Sequence, residues 1–286
     1  MSISKEIERI QQAKKDIGDA IVRKGGSVSG TIDTYAKSVM ALGDVNFRTA
    51  IDIVNKSDAK NVDLTMISPK NETSLNKLFF KNEKLVSIDV STWDTSKVTD
   101  FTQAFSLNHN LESIDVSNFN TGNCVNFFAM FDEGYKITTL DVSKWDMSSA
   151  KKIDWMFCRC KSITSIDLST WDTSKVTSAR HLFDACSAEL IDLSGLDLSQ
   201  VTDMYRAFNE NHKLSVIKCT GLKLPNIELS SFGFNVSPLT VDSIVGLLNA
   251  LPQSDKGYSF QIGSNNIAKL SDEQKAIATD KGWTLI

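Results

Sequence analysis

The sequence lacks the features that mark several large classes of protein. No apolar run in its 286 residues approaches the roughly 20 residues of a transmembrane helix, so we expect no membrane insertion. The formal net charge is −4 and the pI is near 5.5, so we expect no basic surface that binds nucleic acid. The first ten residues are charged and show no hydrophobic core of a signal peptide, which predicts a protein without an export signal.

Sequence signs of catalysis are also missing. No Gly-rich phosphate loop, His-Glu-x-x-His sequence or paired-acid motif occurs. The three histidines are His109, His181 and His212, and none has the neighbours that a nucleophile, base and orienting group require. The sequence therefore predicts a protein that is not an enzyme and that uses no cofactor.

What the chain does contain is one unit repeated six times. An aspartate follows an aliphatic residue at intervals of 26, 26, 26, 26 and 25 residues, a period typical of stacked supersecondary units. The β-branched residues before each aspartate predict short parallel strands about 4.8 Å apart. The Asp-x-Ser that follows suits a corner at which side chains accept hydrogen bonds from backbone N–H groups. We number the repeats from first to sixth by these aspartates, which are Asp63, Asp89, Asp115, Asp141, Asp167 and Asp192.

Aromatic residues recur in two further columns. A phenylalanine stands 16 residues after each aspartate, and an apolar residue stands four positions before it in every repeat. This is helical spacing, so each repeat is predicted to contain a short helical turn that carries a ring inward. The second column, in which tryptophan and phenylalanine close the corner, is predicted to be core as well. The columns are Phe79, Phe105, Phe131, Phe157, Phe183 and Phe208, and Trp93, Phe119, Trp145 and Trp171.

The order Ile-Asp-Val-Ser-x-Trp-Asp-Thr-Ser-Lys-Val-Thr, followed by Phe and then Leu-x-x-Ile, resembles the BspA-like branch of leucine-rich repeats over about residues 60–220. The resemblance implies a right-handed α/β repeat solenoid, with a parallel strand ladder and short helices, that serves adhesion and protein recognition and not catalysis. We assign residues 44–225 to this solenoid. The regular stack is expected to end where Ile217-Lys218-Cys219 replaces Ile-Asp-Val.

The aspartate column and three of the cysteines are the candidate metal ligands, and the sequence disfavours metal binding by either group. The stacked aspartates could hold calcium, but capping by the following serine explains them more simply. Cys158, Cys160 and Cys186 lack the spacing and the histidine that a zinc site would need. Cys160 and Cys186 occupy equivalent positions in neighbouring repeats, where they are either two small buried residues or a disulfide. The odd total of five cysteines argues against a complete disulfide framework.

Residues 1–43 are predicted to form a helical segment for anchoring or oligomerisation. Its isoleucines fall on a heptad seam interrupted only by Lys14, and isoleucine at both core positions favours trimers or higher assemblies. The alternative is a helix that folds back on its own chain. The segment resembles the amino-terminal part of structural proteins of tailed bacteriophages that infect gut bacteria. The seam consists of Ile3, Ile7, Ile10, Ile17 and Ile21.

Residues 226–286 are predicted to form an α/β module that caps the solenoid. A helix begins near Thr240, a strand covers 258–263, a second helix opens at Ser271, and a closing strand begins at Trp283. This end resembles the terminus of phage tail-associated and BspA-like proteins.

These features together predict a non-enzymatic virion protein of a tailed phage, located in a tail fibre, the baseplate or a head decoration. Its partners would be other virion proteins or a host cell-surface receptor, and it would form a homo-oligomer, with a trimer expected first. The alternative is a bacterial leucine-rich-repeat surface adhesin or a secreted interaction protein. Loops commonly carry function, and the loop after each predicted helical turn varies between repeats. His109, Tyr135 and His212 are therefore predicted to be contact residues, unless these loops are only solvated turns.

Overall fold

A computed structural model of the protein describes residues 46–286. Within them the chain is mixed α/β, and its short parallel strands form small open sheets. No helix in this part is long and apolar enough to cross a lipid bilayer. The helical segment predicted over residues 1–43, and the isoleucine seam with it, lie outside the described residues.

The strands lie where the aliphatic-aspartate sequence recurs. Equal positions of consecutive repeats are paired, so that Val62 faces Ile88 and Ile166 faces Ile191 in parallel register. The central residue of these strands is buried. The predicted parallel pairing is therefore confirmed for these repeats. One sheet consists of β1 (Asn61–Asp63), β2 (Ser87–Asp89) and β3 (Ser113–Ile114), and the other of β4 (Ser165–Asp167), β5 (Leu190–Asp192) and β6 (Val216–Lys218).

The segment that carries the phenylalanine column is not helical, and that prediction is wrong. In the first repeat the N–H groups of Leu75, Lys77 and Phe79 donate to carbonyls of the second repeat at 2.8–2.9 Å. The N–H groups of Leu78 and Phe80 bond three residues back, to the carbonyls of Leu75 and Lys77, each at 3.2 Å. A helix would need the N–H of Phe79 to reach the carbonyl of Leu75. The N–H of Phe79 bonds a carbonyl of the second repeat instead, and the segment therefore consists of consecutive tight turns.

Each of these turn segments contains two non-glycine residues with positive φ, four positions apart. The left-handed conformation is costly for residues with a Cβ. For eleven of these twelve residues, all except Glu210, the N–H group donates to a backbone carbonyl of the following unit, which helps to offset this cost. The pairs are Lys77 and Lys81, Gln103 and Leu107, Ala129 and Glu133, Trp155 and Arg159, His181 and Ala185, and Arg206 and Glu210.

The two aromatic columns run through the buried core, as predicted. Neighbouring rings in the phenylalanine column, from Phe79 to Phe208, have centroids 5.3–6.2 Å apart. In the second column Trp145 and Trp171 stack at 6.4 Å. The indole N–H of Trp145 donates to the carbonyl of Val116 at 2.9 Å, so the buried donor is satisfied.

A helix that was not predicted lies at the amino-terminal end of the described repeats. Helix α1 (Phe47–Lys56) is capped by Asn46, whose side chain accepts from the N–H of Thr49 at 2.9 Å. Its apolar face is buried, and the ring of Phe47 meets Trp93 edge-on at 5.2 Å. Asn55 of the helix also donates to the carbonyl of Leu78 in the first repeat at 2.8 Å, so the helix packs against the amino-terminal end of the repeats.

The carboxyl-terminal module has the predicted elements. Thr240 caps helix α2 (Val241–Ala250) with its side chain, and Ser271 and Gln274 form a capping box at the start of helix α4 (Asp272–Thr279). The hydroxyl of Ser243 in α2 accepts from the N–H of Ile217 at 2.9 Å, which joins the module to the end of the repeats. The elements are α2 (Val241–Ala250), β7 (Ser259–Phe260), α3 (Ser264–Ile267), α4 (Asp272–Thr279) and β8 (Thr284–Leu285).

Candidate functional site

The turn segments bring the most varied side chains of the repeats onto one surface. Because equal positions of consecutive repeats lie beside each other, side chains that are far apart in sequence meet there. We call this surface the turn edge. It is formed by residues 76–83, 102–109, 128–135, 154–161, 180–187 and 205–212.

Two of the three predicted contact residues meet at the turn edge. The imidazole of His109 stacks on the phenol of Tyr135, with centroids 4.6 Å apart and an interplanar angle of 10°. Both rings bond the same carboxylate, because His109 Nε2 lies 3.0 Å and Tyr135 Oη 2.7 Å from Glu133 Oε2. The other oxygen of Glu133 accepts from Arg159 at 3.1 Å, and Lys161 Nζ lies 4.4 Å from the centroid of the Tyr135 ring.

This cluster has clear electrostatic consequences. Burial alone would raise the pKa of Glu133, but hydrogen bonds from Tyr135 and His109 and the charge of Arg159 bring it below its ordinary value. The same hydrogen bond to Glu133, with some burial, raises the pKa of Tyr135 to about 12. Glu133 is therefore a charged centre that holds two rings and a guanidinium in fixed positions.

A second aromatic cluster lies further along the turn edge. The indole of Trp155 stacks on the imidazole of His181 with centroids 3.9 Å apart, and the ring of Tyr205 meets His181 edge-on at 5.5 Å. His181 is buried, and its Nδ1 lies 2.7 Å from Oδ2 of the buried Asp184. Tyr205, in contrast, is 45% exposed.

No role was predicted for Trp155, His181 or Tyr205. A signal was nevertheless present, because Trp155 belongs to neither aromatic column. It stands between Ile153 and Phe157, two inward positions, so its ring has to lie outside the core. An aromatic residue outside the two repeated columns was therefore the sequence signal for this surface cluster.

The third predicted contact residue, His212, lies apart from the other two. It occupies the same repeat position as Tyr135, three repeats further along. Its side chain is 67% exposed, and its Nε2 lies 3.0 Å from Glu210 Oε2. His212 belongs to the turn edge, but it does not join the His109–Tyr135 cluster.

The aspartates form a polar column along the strands, with a shallow groove at its amino-terminal end. The predicted serine capping is confirmed: the N–H and hydroxyl of Ser91 donate to Asp89 Oδ1 at 3.1 and 2.7 Å, and the same arrangement recurs at Asp115 and Asp141. The hydroxyl of Ser143 lowers the pKa of Asp141 in this way. The groove is lined by Asn61, Val62, Asp63, Ser87, Ile88, Asp89, Ser91, Ser113 and Asp115.

Residues 46–286 contain all the cysteines and histidines of the chain. In that range no three His, Cys, Asp or Glu side chains converge in an arrangement that could hold a metal ion. The five cysteines are free thiols, and burial raises the pKa of Cys124 to about 12 and of Cys186 to about 11. Such thiols stay protonated near neutral pH and are weak nucleophiles.

The repeat region matches a known family. The family described as Mycoplasma protein of unknown function, DUF285, matches residues 49–165, 73–196 and 136–218, which together span more than half of the chain. The chain belongs to this family. The match supports the predicted BspA-like repeat, whereas the phage assignment stays a prediction. No curated protein matches the chain.

Proposed function

We propose that the six repeats form a single leucine-rich-repeat-like solenoid. Support comes from the bridges between turn segments, which link every pair of neighbouring repeats from Ser74–Asp100 to Ser178–Asp203. These bridges continue past the repeat of Asp141, which separates the two sheets. The phenylalanine column is also unbroken from Phe79 to Phe208.

The solenoid is a non-enzymatic recognition protein, and the turn edge is the surface with which it recognises a partner. The observation that carries this proposal is the presence of Tyr135, Trp155 and Tyr205 outside the core columns. Aromatic and arginine side chains are enriched where proteins bind each other. Here fixed neighbours hold the rings, so little side-chain entropy would be lost on binding.

Recognition at the turn edge is tested with a triple variant, Tyr135→Ala, Tyr205→Ala and His212→Ala. The fluorescently labelled chain should attach less to host cells or to partner virion proteins when these side chains are removed, while its melting temperature changes little. A matched control removes three exposed apolar side chains outside the turn edge, Met66, Val125 and Ile286. Equal attachment by the two triple variants would show that the turn edge is not the binding surface.

The protein is a structural component of a tailed-phage virion, in a fibre, the baseplate or a head decoration. This part of the proposal rests on the resemblance of residues 1–43 and 226–286 to segments of phage structural proteins. Mass spectrometry of purified virions is the test. Peptides of the chain at a stoichiometry comparable to known tail or capsid proteins would support the proposal, and their absence would contradict it.

The second candidate is a bacterial surface adhesin or secreted interaction protein. It is favoured by one observation, that the matching family is named for proteins of Mycoplasma, a bacterium. The gene neighbourhood separates the two candidates, because capsid, portal and tail genes would surround a virion protein and cell-surface genes an adhesin.

The protein is also proposed to assemble as a homo-oligomer, with a trimer expected first, through the isoleucine seam of residues 3–24. Light scattering on the intact chain would measure the assembly. Ile10→Asp with Ile17→Asp should reduce it to a monomer because a charge in the seam cannot be buried without a partner. A monomeric wild-type chain would contradict this proposal unless a second virion protein restores assembly.

A further inference from the structure

Three arginines follow one another along the turn edge. Arg159, Arg180 and Arg206 come from the fourth, fifth and sixth repeats, and equal positions of neighbouring repeats lie about 4.8 Å apart. Arg180 and Arg206 are one position apart in the repeat, and Arg159 is four positions beyond that of Arg206. We call these three side chains the guanidinium row. Lys161, from the fourth repeat, adds an exposed ammonium next to it.

The cations of the row lie further out than most of the carboxylates they pair with. Arg159 is 39% exposed and its partner Glu133 20%, while Arg206 is 41% exposed and its partner Asp184 only 7%. Arg180 is 46% exposed, and its partner Asp203, at 36%, is the most exposed acid of the three. An approaching molecule therefore meets positive charge first, although the whole chain carries a net charge of −4.

The geometry leaves much of each guanidinium available. Arg159 and Arg180 each use Nη1 for the ion pair, at 3.1 and 2.8 Å, and Arg206 Nε is 3.6 Å from Asp184, beyond hydrogen-bond distance. A guanidinium has five N–H donors in a planar fork that matches a carboxylate.

Aromatic rings hold two of the three arginines in place. The Arg159 guanidinium carbon lies 5.9 Å from the centroid of a Trp155 ring, and that of Arg180 lies 5.3 Å from the centroid of Tyr205. Arginine stacked on an aromatic ring loses less freedom when it binds. The row is thus a set of partly ordered donors, all of one charge and all at the surface.

We propose that the guanidinium row binds an acidic segment of a partner protein, with side-chain carboxylates received by Arg159, Arg180 and Arg206. The inference rests on the proposed recognition role of the turn edge and names the chemistry of its partner. Recognition of acidic motifs by arginine clusters is a recurring mode of peptide binding. Charge complementarity selects such a partner, since the row offers donors and no acceptors.

The test measures binding of a fluorescein-labelled poly-glutamate peptide to the intact chain by fluorescence anisotropy. Replacing all three arginines by glutamine should weaken binding about tenfold or more, because charge-assisted bonds are lost. The matched control, Arg48→Gln with Lys84→Gln and Lys218→Gln, also removes three ion-paired cations, outside the row. It should leave the affinity within about twofold of wild type.

Further variants and probes keep the test decisive. Arg206→Gln alone removes no hydrogen bond within the chain and should still weaken binding if the triple variant fails to fold. Equal loss in the control and the row variant, or tighter binding of the acidic polysaccharide alginate than of poly-glutamate, would overturn the proposal. Unchanged poly-glutamate binding by the row variant would also overturn it. If the Tyr135, Tyr205 and His212 variant still lost attachment in that case, the recognition role itself would stand.

Discussion

Trp155 and His181 stack with ring centroids 3.9 Å apart, and both residues have positive φ, 60° and 51°. They occupy the same position in the fourth and fifth repeats, where other repeats have lysine, glutamine, alanine or arginine. Because neighbouring repeats place equal positions side by side, one aromatic substitution in each of two repeats is enough to build a ring pair. The repeat thus allows a surface to change while the core columns stay the same.

The first prediction concerns the phenylalanine column. Phe131 is fully buried between Phe105 and Phe157, with centroids 5.7 and 6.2 Å away. Replacing it by alanine should lower the free energy of unfolding by roughly 3–5 kcal/mol, because apolar contacts are lost and a cavity remains. Chemical denaturation gives the value. Met66→Ala, at a side chain that is 72% exposed, is the control and should change stability by less than about 0.5 kcal/mol.

The second prediction concerns Asp132, whose side chain is only 15% exposed and whose buried Oδ1 has no hydrogen-bond partner. Burial raises the pKa of this carboxyl from 3.8 to about 6, with Glu133 adding to the shift and Cys158 and Arg159 opposing it. A raised folded-state pKa means that the carboxyl favours folding when it is protonated. This contribution is present below about pH 4 and is lost as the pH rises through 6.

The variant Asp132→Asn should therefore be more stable than wild type near pH 7.5, by about 1–3 kcal/mol. Its advantage should shrink towards pH 4, where the wild-type carboxyl is protonated. Denaturation curves at the two pH values measure the difference. A gain in stability that is the same at both values would mean that ionisation of Asp132 has no part in it.

The third prediction concerns the carboxyl-terminal end of α2. Lys281 Nζ donates to the carbonyls of Leu248, Asn249 and Leu251 at 3.1, 2.7 and 2.9 Å. These carbonyls lie at the end of the helix, where intrahelical donors run out. Lys281→Met keeps the aliphatic stem and removes the donors, so unfolding should become easier by about 1.5–3 kcal/mol. Lys275→Met, in an exposed ion pair, should have a much smaller effect in the same thermal denaturation assay.

The fourth prediction concerns the cysteines. Labelling with a thiol reagent after denaturation, without reductant, should recover all five thiols per chain. Recovery of three would indicate a bond between Cys160 and Cys186, the pair at equivalent positions of neighbouring repeats.

Much of the fold could be predicted from the repeat. The spacing of Phe79 to Phe208 fixed which rings are buried, and the aliphatic-aspartate sequence located the strands. The helical turn could not be excluded in advance, because inward residues four apart, such as Leu75 and Phe79, fit either a helix or two consecutive tight turns. Only hydrogen bonding between repeats separates the two, and a periodic sequence does not report it.

The candidate site was predicted in part. His109 and Tyr135 stand one period apart, so their stacking follows from the repeat once the stacking of repeats is assumed. Glu133, which joins them, was not assigned a role, because its importance depends on side-chain directions set by its positive φ. His181 is a similar case, since its burial against Trp155 depends on a residue that lies outside the predicted columns.

The most direct test of the recognition role is photo-crosslinking from the turn edge. A benzophenone amino acid is placed at Tyr205 and, in a separate chain, at Met66, both of which are exposed. Irradiation with host cells or virion components should give a covalent adduct from position 205 and little from position 66. Excess unlabelled wild-type chain should suppress that adduct, and the Tyr135, Tyr205 and His212 variant should not. Equal yields from the two positions, or equal competition by the variant, would contradict recognition through the turn edge.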